Sequence, residues 1–506
     1  MFEHVLSVMI FLPLLAGLAL LVLPVGKNGV RTIGLIISVI VLICGLKVFA
    51  DFNGGGGLEF VEKRSWIDSL GIHYHLGVDG ISLFVLMAAA VLFPMVFMIF
   101  SSKSKGYYCN LLIALGAMVG AVSAADLVLF YIFWEVMLLP IFFMIGLYGG
   151  EGRVAATIKI TIYTIAGSLF MLAALIYLGV SYHTQSGEWS FEIAKMASLD
   201  LHGGYAVMAF VGMMLAFAIK IPLFPFHTWL PDAYTEAPTS TTFILSAIMA
   251  KIGVYGVIRF VVPVFEAEMA RYAIILAYSG VIGLMYCGIA AIAQKDFKRM
   301  LAFSSASHMG IIALGIFCMN VQALTGTLFQ IVAHATSTGV LFLFAGILEE
   351  RTGTRQIEDL GGVAYKAPIF ATFFAVAMLA SCGLPGTSGF IGEFLIILGA
   401  VKFNVLVGVL AGTTLVIGVC YMLWMFQRVF FEKSKTTTAD FKDLSAYETL
   451  VFLPVILLIL VMGIYPQPFI EKIEPAAQKH IMSMAATGSP QLAETATDIK
   501  LEQLKN

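Results

Sequence analysis

Charge is what this chain lacks. Asp, Glu, Lys and Arg make up 12% of its 506 residues and hydrophobic residues 60%, whereas a soluble domain is about 25% charged. The 29 basic and 31 acidic residues nearly cancel, at −2, so there is no basic footprint for nucleic acid. Cysteine is scarce too. All six fall in or beside apolar segments without CxxC spacing, and they read as small core residues, not as disulfides, metal ligands or cluster ligands. No GxGxxG opens a helix after a strand, so no dinucleotide site is expected. No basic segment precedes the first apolar run, which has Glu3 and His4 before it. Met1–Pro24 therefore reads as a first membrane helix, not a cleaved signal. Strict polar–apolar alternation is also missing, which argues against a membrane barrel.

What is present is a succession of apolar stretches of roughly 20 residues, the mark of an all-α polytopic membrane protein. The pattern predicts about fourteen spans: 4–24, 30–50, 79–101, 108–125, 127–149, 154–181, 206–233, 239–265, 269–294, 300–319, 322–348, 367–402, 404–430 and 448–465. The longest loops, 51–78 and 182–205, are too short for a soluble catalytic domain. Beyond Pro466 the chain is polar. PFIEKIEPAAQKHIMSM has the pattern of an amphipathic surface helix, and TGSPQLAETATDIK that of a disordered tail.

Lys and Arg are unevenly shared among the loops. Those after odd-numbered spans hold fifteen: Lys27, Arg31, Lys103, Lys105, Arg153, Lys295, Lys298, Arg299, Arg351, Arg355, Lys366, Arg428, Lys433, Lys435 and Lys442. Those after even-numbered spans hold five: Lys63, Arg64, Lys195, Arg271 and Lys402. The odd loops are thus expected in the cytoplasm, with both termini on the opposite, outer side.

Few charges enter the spans. Glu135 and Glu393 are the acidic residues well inside, while Asp79 and Asp126 sit at span ends where hydration is easy. Lys47, Lys159 and Arg259 lie near span ends, from which long side chains reach headgroups. Lys220 and Lys251 are central, too deep to snorkel. Each such charge costs roughly 2.5–3.5 kcal/mol, and four cost about 10 kcal/mol, which demands internal pairing or hydration. Lys and Glu suit a proton relay, because burial favours their neutral forms and an opposite charge favours the ionised ones. His308 and His334, surrounded by Ser304, Ser305, Ser307, Thr336, Ser337 and Thr338, add imidazoles in two more spans. Alone, either is equally a packed core histidine; together they extend a polar path.

Two spans are interrupted. KIPLFPFHTWLP breaks the seventh at Pro222 and Pro225, and ASCGLPGTSGFIGEF breaks the twelfth at Gly383, Pro385 and Gly386, with Gly389 shortly before Glu393. Freed backbone groups in lipid must find protein or water. Interrupted helices five spans apart, each beside an ionisable residue, suggest two inverted repeats: spans 4–8 and 9–13. The expected organisation is 1–107 for the first three helices, 108–265 and 266–430 for the repeats, and 431–506 for the last helix and tail.

GLYGGEGRVAATIKITIYTIAGSLFML, KIPLFPFHTWLPDAYTEAPTSTTFILSAIMAKIGVYGVIRF, QKDFKRMLAFSSASHMG and GLPGTSGFIGEF resemble the antiporter-like subunits of respiratory complex I and the related multisubunit cation/proton antiporters. The likeness covers roughly residues 70–465. It implies fourteen helices, two inverted five-helix repeats, and roles for particular residues. Glu135 would pair with Lys220, Lys251 would relay protons through His308 and His334, and Glu393 would be the terminal site. Glutamate at 393, where sister subunits place lysine, points to the M-type branch, as does the lack of a long lateral helix. The resemblance further implies outward proton movement in a bacterial cytoplasmic membrane, with antiporter-like subunits on both sides and lipid around them. NADH, FMN, iron–sulfur clusters and quinone would belong to partner subunits, none being held by this chain. A free-standing antiporter subunit, a hydrogenase-type complex and a mere scaffold are the other readings.

Overall fold

The computed structural model describes residues 4–54, 56–100 and 103–485. Among these, twelve helices are long and apolar enough to cross a membrane. In chain order the main helices are α1 (Val5–Val22), α2 (Lys27–Asp51), α3 (Ser82–Ile99), α4 (Lys105–Ser123), α5 (Leu127–Tyr148) and α6 (Arg153–Ser186). Two shorter segments follow, α7 (Gly204–Lys220) and α8 (Trp229–Glu236), then α9 (Thr239–Val264), α10 (Glu266–Ile292), α11 (Phe297–Phe317) and α12 (Val321–Thr352). A second short pair, α13 (Pro368–Ser381) and α14 (Ser388–Phe403), precedes α15 (Val405–Phe431), α16 (Ala446–Ile464) and α17 (Gln467–Ala485).

Both expected interruptions are real. The α7–α8 break contains Pro222 and Pro225, and the α13–α14 break contains Gly383, Pro385 and Gly386. The freed backbone groups are satisfied within the protein, as lipid requires. The indole Nε1 of Trp229 donates to the carbonyl of Ile219 at 2.9 Å, and Leu223 N donates to Ala218 O at 2.8 Å. In the second break Gly383 and Gly386 have φ of 68° and 92°, values that a side chain disfavours. Thr387 donates to Leu384 O through its amide and its hydroxyl.

Other elements depart from expectation. The 51–78 loop holds an antiparallel hairpin, β1 (Glu59–Ile67) and β2 (Ile72–Val78), turning through Gly71 at φ 61°. Its Glu62 accepts from Leu6 N at 2.8 Å and Ser7 N at 3.3 Å, capping the first turn of α1. Helix α6 runs to Ser186, past the expected end at 181, and stops only where Gly187 takes φ 77°. Helix α5 is disturbed at Met137, because Pro140 has no N–H for the carbonyl four residues earlier. Helix α9 contains two five-residue π-helical segments, Leu245–Met249 and Val257–Val261, which flank Lys251. Helix α17 forms where an amphipathic helix was expected and buries Ile473, Ala476, Ala477 and Ile481 against the body. It is pinned by Lys472 Nζ donating to Phe52 O at 2.9 Å. The expected disordered stretch TGSPQLAETATDIK lies outside the described residues.

Helices α4, α9, α11 and α12 form the interior: 89–100% of their apolar windows are buried, against 39% for α1, α2, α6, α15 and α16. Without a hydrophobic force between helices in lipid, close approach comes from small residues. A Cβ on Gly310 would stand 2.7 Å from Gly280 O, so α10 and α11 cross backbone on backbone. Helices α13 and α14 meet as closely at Gly389, where a Cβ would fall 2.0 Å from the Ala380 carbonyl. Gly389→Val should push α14 off α13 and reduce assembled subunit in membranes by roughly tenfold or more, as expected for overpacking at a backbone contact. Quantitative immunoblotting of the solubilised assembly checks this.

Candidate functional site

The predicted residues fall on interior helices around the two breaks. Lys220 ends α7 at the first break and is buried. Its Nζ has no hydrogen-bond partner among the described residues and instead lies 4.6 Å from the centre of the Trp134 ring, a cation–π contact. The charge acting on it is that of Glu135, next to Trp134 on α5. Glu135 is half-buried, with Oε1 unbonded among the described residues and Tyr131 one turn earlier bearing on the carboxylate. The two charges are thus separated by space rather than joined by a hydrogen bond. Gly253 explains how α9 passes this break so closely: a Cβ there would be 3.1 Å from Cβ of Lys220.

Two residues before Gly253, Lys251 begins a buried polar run. Its Nζ donates to the carbonyl of Ser246, inside the first π-helical segment, and to Nδ1 of His334 on α12 at 2.6 Å. A π turn exposes carbonyls that α geometry would occupy, which supplies the Ser246 acceptor. The His334 and His308 rings lie 5.5 Å apart, centre to centre. Nδ1 of His308, on α11, is 2.8 Å from Oε1 of Glu393 on α14. Gln330 Nε2 donates to the same oxygen at 3.1 Å. Glu393 leans over the second break, where a Cβ on Gly383 would be 2.9 Å from its Oε2. Four predicted residues, Lys251, His334, His308 and Glu393, therefore line up across four helices, with Lys220 and Glu135 at the other end. Nε2 of both histidines is buried with no partner among the described residues. Hydrogen bonds join each end of the row, Lys251 to His334 and His308 to Glu393, and with the gap between the two rings bridged such a row of buried groups can carry protons.

Several functional neighbours were not anticipated. Gln330 and Trp134 are uncharged and gave no signal in composition. Tyr421 on α15, which meets Ser304 at 2.8 Å, was hidden in an apolar span. One expectation about charges needs correction. Arg259 does not reach for headgroups: its Nη2 is 2.7 Å from Oδ1 of Asp79, with both side chains largely buried. Lys159, partly exposed, bonds Asp232 on α8 at 2.7 Å, and Arg299 on α11 holds the other oxygen of Asp232 at 2.9 Å. Asp79 and Asp126 are buried at the helix ends, capping α3 and α5 by accepting first-turn amides. Lys47 lies exposed one turn from Asp51, at 2.7 Å.

The sequence family described as NADH:quinone oxidoreductase/Mrp antiporter, transmembrane, matches residues 124–463. A protein of Rickettsia prowazekii named NADH-quinone oxidoreductase subunit M is 39% identical over 91% of this chain and 95% of its own length. A chain of respiratory complex I from Thermus thermophilus, solved with bound NADH, superposes with a TM-score of 0.88 at 32% identity. That likeness covers 95% of this chain and 100% of the other. A chain of an Mrp complex from Dietzia sp. shares the fold, with a TM-score of 0.84 at 20% identity over 94% of this chain and 97% of its own.

The Arg259–Asp79 pair yields a stability test. Arg259→Ala strands a buried carboxylate, which costs roughly 3–5 kcal/mol, while replacing both partners by uncharged groups costs far less. Arg259→Leu combined with Asp79→Asn should therefore recover most of the thermal stability lost in Arg259→Ala, measured on the detergent-solubilised assembly.

Proposed function

Because this chain belongs to the subunit M branch of the NADH:quinone oxidoreductase/Mrp antiporter family, we propose that it moves protons outward across the bacterial cytoplasmic membrane, as a subunit of an NADH:quinone oxidoreductase. The redox chemistry that drives it belongs to other subunits, which hold NADH, FMN, iron–sulfur clusters and quinone. The observation that carries this reading is the run Lys251–His334–His308–Glu393, buried across the middle of the interior helices. Moving one proton against 100 mV costs about 2.3 kcal/mol, so the run needs an external drive. A row of alternating charges reaching both sides of the subunit receives that drive electrostatically from antiporter-like neighbours.

In this mechanism Glu135 controls Lys220. When the carboxylate is ionised, it favours the ammonium form of a lysine otherwise held only by a tryptophan face. When the carboxylate is protonated or drawn away, Lys220 passes its proton inward along the axis toward Lys251. Lys251 hands a proton to His334, whose Nδ1 is already at hydrogen-bond distance. The unpartnered Nε2 atoms of His334 and His308 favour a water between the rings. Glu393 receives the proton and releases it on the outer side. The breaks at Pro222, Pro225, Gly383, Pro385 and Gly386 supply the local freedom for these steps.

The same proposal covers topology. The twelve full-length helices and the two broken ones, α7–α8 and α13–α14, fit fourteen crossings, with inverted repeats at 108–265 and 266–430. Residues 1–107 and 431–506 flank them. The uneven Lys and Arg count supports both termini lying outside. Lipid and neighbouring subunits cover the exposed apolar faces, such as Ile158, Ile162 and Leu169 on α6.

NADH-driven proton uptake by inverted membrane vesicles tests the reading. Glu135→Ala and Lys220→Ala should each lower the initial uptake rate about tenfold or more with assembly intact, the scale of a lost proton-relay group. Wild-type uptake in both variants would make the chain a scaffold. Replacing His334 by alanine should lower uptake without affecting NADH oxidation by the soluble arm with an artificial electron acceptor.

A further inference from the structure

The last turn of α8 leaves carbonyls that no amide of its own helix can take. Four consecutive ones are claimed by four different elements. Thr242 Oγ1 of α9 donates to Tyr234 O at 2.8 Å, and Arg355 Nη1, beyond α12, donates to Thr235 O at 2.8 Å. Gly150 N, in the turn between α5 and α6, donates to Glu236 O at 2.8 Å. Lys298 Nζ, at the start of α11, donates to Ala237 O at 2.5 Å. Lys298 and Ala237 are both buried, so this ammonium is held out of water on a carbonyl. A helix C-terminus favours a cation, yet burying one against a neutral acceptor is costly. No proton step described above uses it.

At its other end α8 meets the first break. Trp229, its first residue and fully buried, donates from Nε1 to Ile219 O at 2.9 Å. That oxygen belongs to the same planar peptide unit as the Lys220 nitrogen. Between Trp229 and Ala237 the helix is a rod about 12 Å long. Two turns cannot hold themselves without outside contacts. The contacts at 234–237 therefore decide where Trp229 stands, and Trp229 decides how the peptide plane at Lys220 is set.

We propose that Lys298 is a positioning residue for the proton relay: its bond to Ala237 O seats α8, and α8 seats Lys220 through the Trp229–Ile219 bond. The role rests on the proton-translocating reading above, and Lys298 itself gives up no proton in it. Ala237 is also where α8 passes into α9 through Pro238. One bond thus fixes both the rod behind Lys220 and the start of the helix that bears Lys251. Without the ammonium, the Ala237 carbonyl is left buried and unpaired, which is unfavourable. The end of α8 then shifts to satisfy it elsewhere and carries Trp229 off the Ile219 carbonyl. Lys220 has little with which to resist. Its Nζ has no hydrogen bond among the described residues, only the face of Trp134 and the charge of Glu135 across space.

The test uses inverted vesicles holding the complete complex and reads the initial rate of NADH-driven proton uptake per assembled complex. Lys298→Met keeps the length of the side chain and removes the donor. Trp229→Phe keeps a ring and removes the indole N–H. Each should lower the rate roughly threefold or more. The double variant should be no slower than the slower single one, because both cut the same line of contact. Lys298→Arg, which keeps a cationic donor, should recover most of the loss. If methionine blocks assembly, Lys298→Gln, polar and uncharged, takes its place in the cycle. A lysine that only caps α8 acts independently of the indole, so losses that multiply in the double variant overturn the positioning role. A wild-type rate in either single variant, or no recovery with arginine, overturns it as well. Glu135→Ala in the same vesicles separates the two proposals. If it abolishes uptake while Lys298→Met has no effect, only the positioning role falls. If it too is silent, the proton-translocating reading falls and takes the role with it.

Discussion

An ion inside a hydrocarbon slab must be compensated on the spot, and the kind of compensation decides what the ion can then do. Arg259 and Lys159 are matched by full carboxylates at 2.7 Å. Lys251 has a carbonyl and an imidazole, acceptors that are neutral and easily exchanged. Lys220 has only the face of Trp134 and a carboxylate acting without a hydrogen bond. The series runs from fixed to labile. Helix breaks, π turns and glycine crossings fall into place around it, because each brings a compensating group to a charge or lets a helix approach one.

Much of this was legible in the chain. Charges in apolar runs stand out, and proline and glycine announce a break locally, so Lys220, Lys251, Glu393 and both interruptions are readable from the residues alone. Partners are harder to read. Asp79 and Arg259 are 180 positions apart, and each taken alone has a comfortable explanation as a residue near a hydrated end. Lys159 conceals its partner in the same way, since Asp232 lies 73 positions on, in α8 beyond the first break. The hairpin was missed for another reason. EFVEKRSWI is mostly exposed and too polar to show a buried stripe, and 59–78 reads as an ordinary loop.

Neutral residues were the least visible part of the site. Trp134, Gln330 and Tyr421 carry no charge and sit among similar apolar neighbours, so nothing in composition or periodicity separates them from core. Each matters through geometry: a ring face under an ammonium, an amide on the same oxygen as an imidazole, a phenol against a serine. Glycine behaves similarly. Of 48 glycines, Gly253 matters because it lets α9 slide past Lys220, and Gly383 because Glu393 needs the space a methyl group would fill.

The π-helical turn at Leu245–Met249 carries a consequence of its own. A π turn holds one residue more than the α turn it replaces, and each residue of an α-helix advances the azimuth by about 100°. The extra residue is absorbed within the turn, so the segments on either side keep nearly the bearing of an uninterrupted helix. Lose one residue from 245–249 and ordinary winding closes the turn with Lys251 still on its face, but the widened turn whose Ser246 carbonyl receives its Nζ is gone.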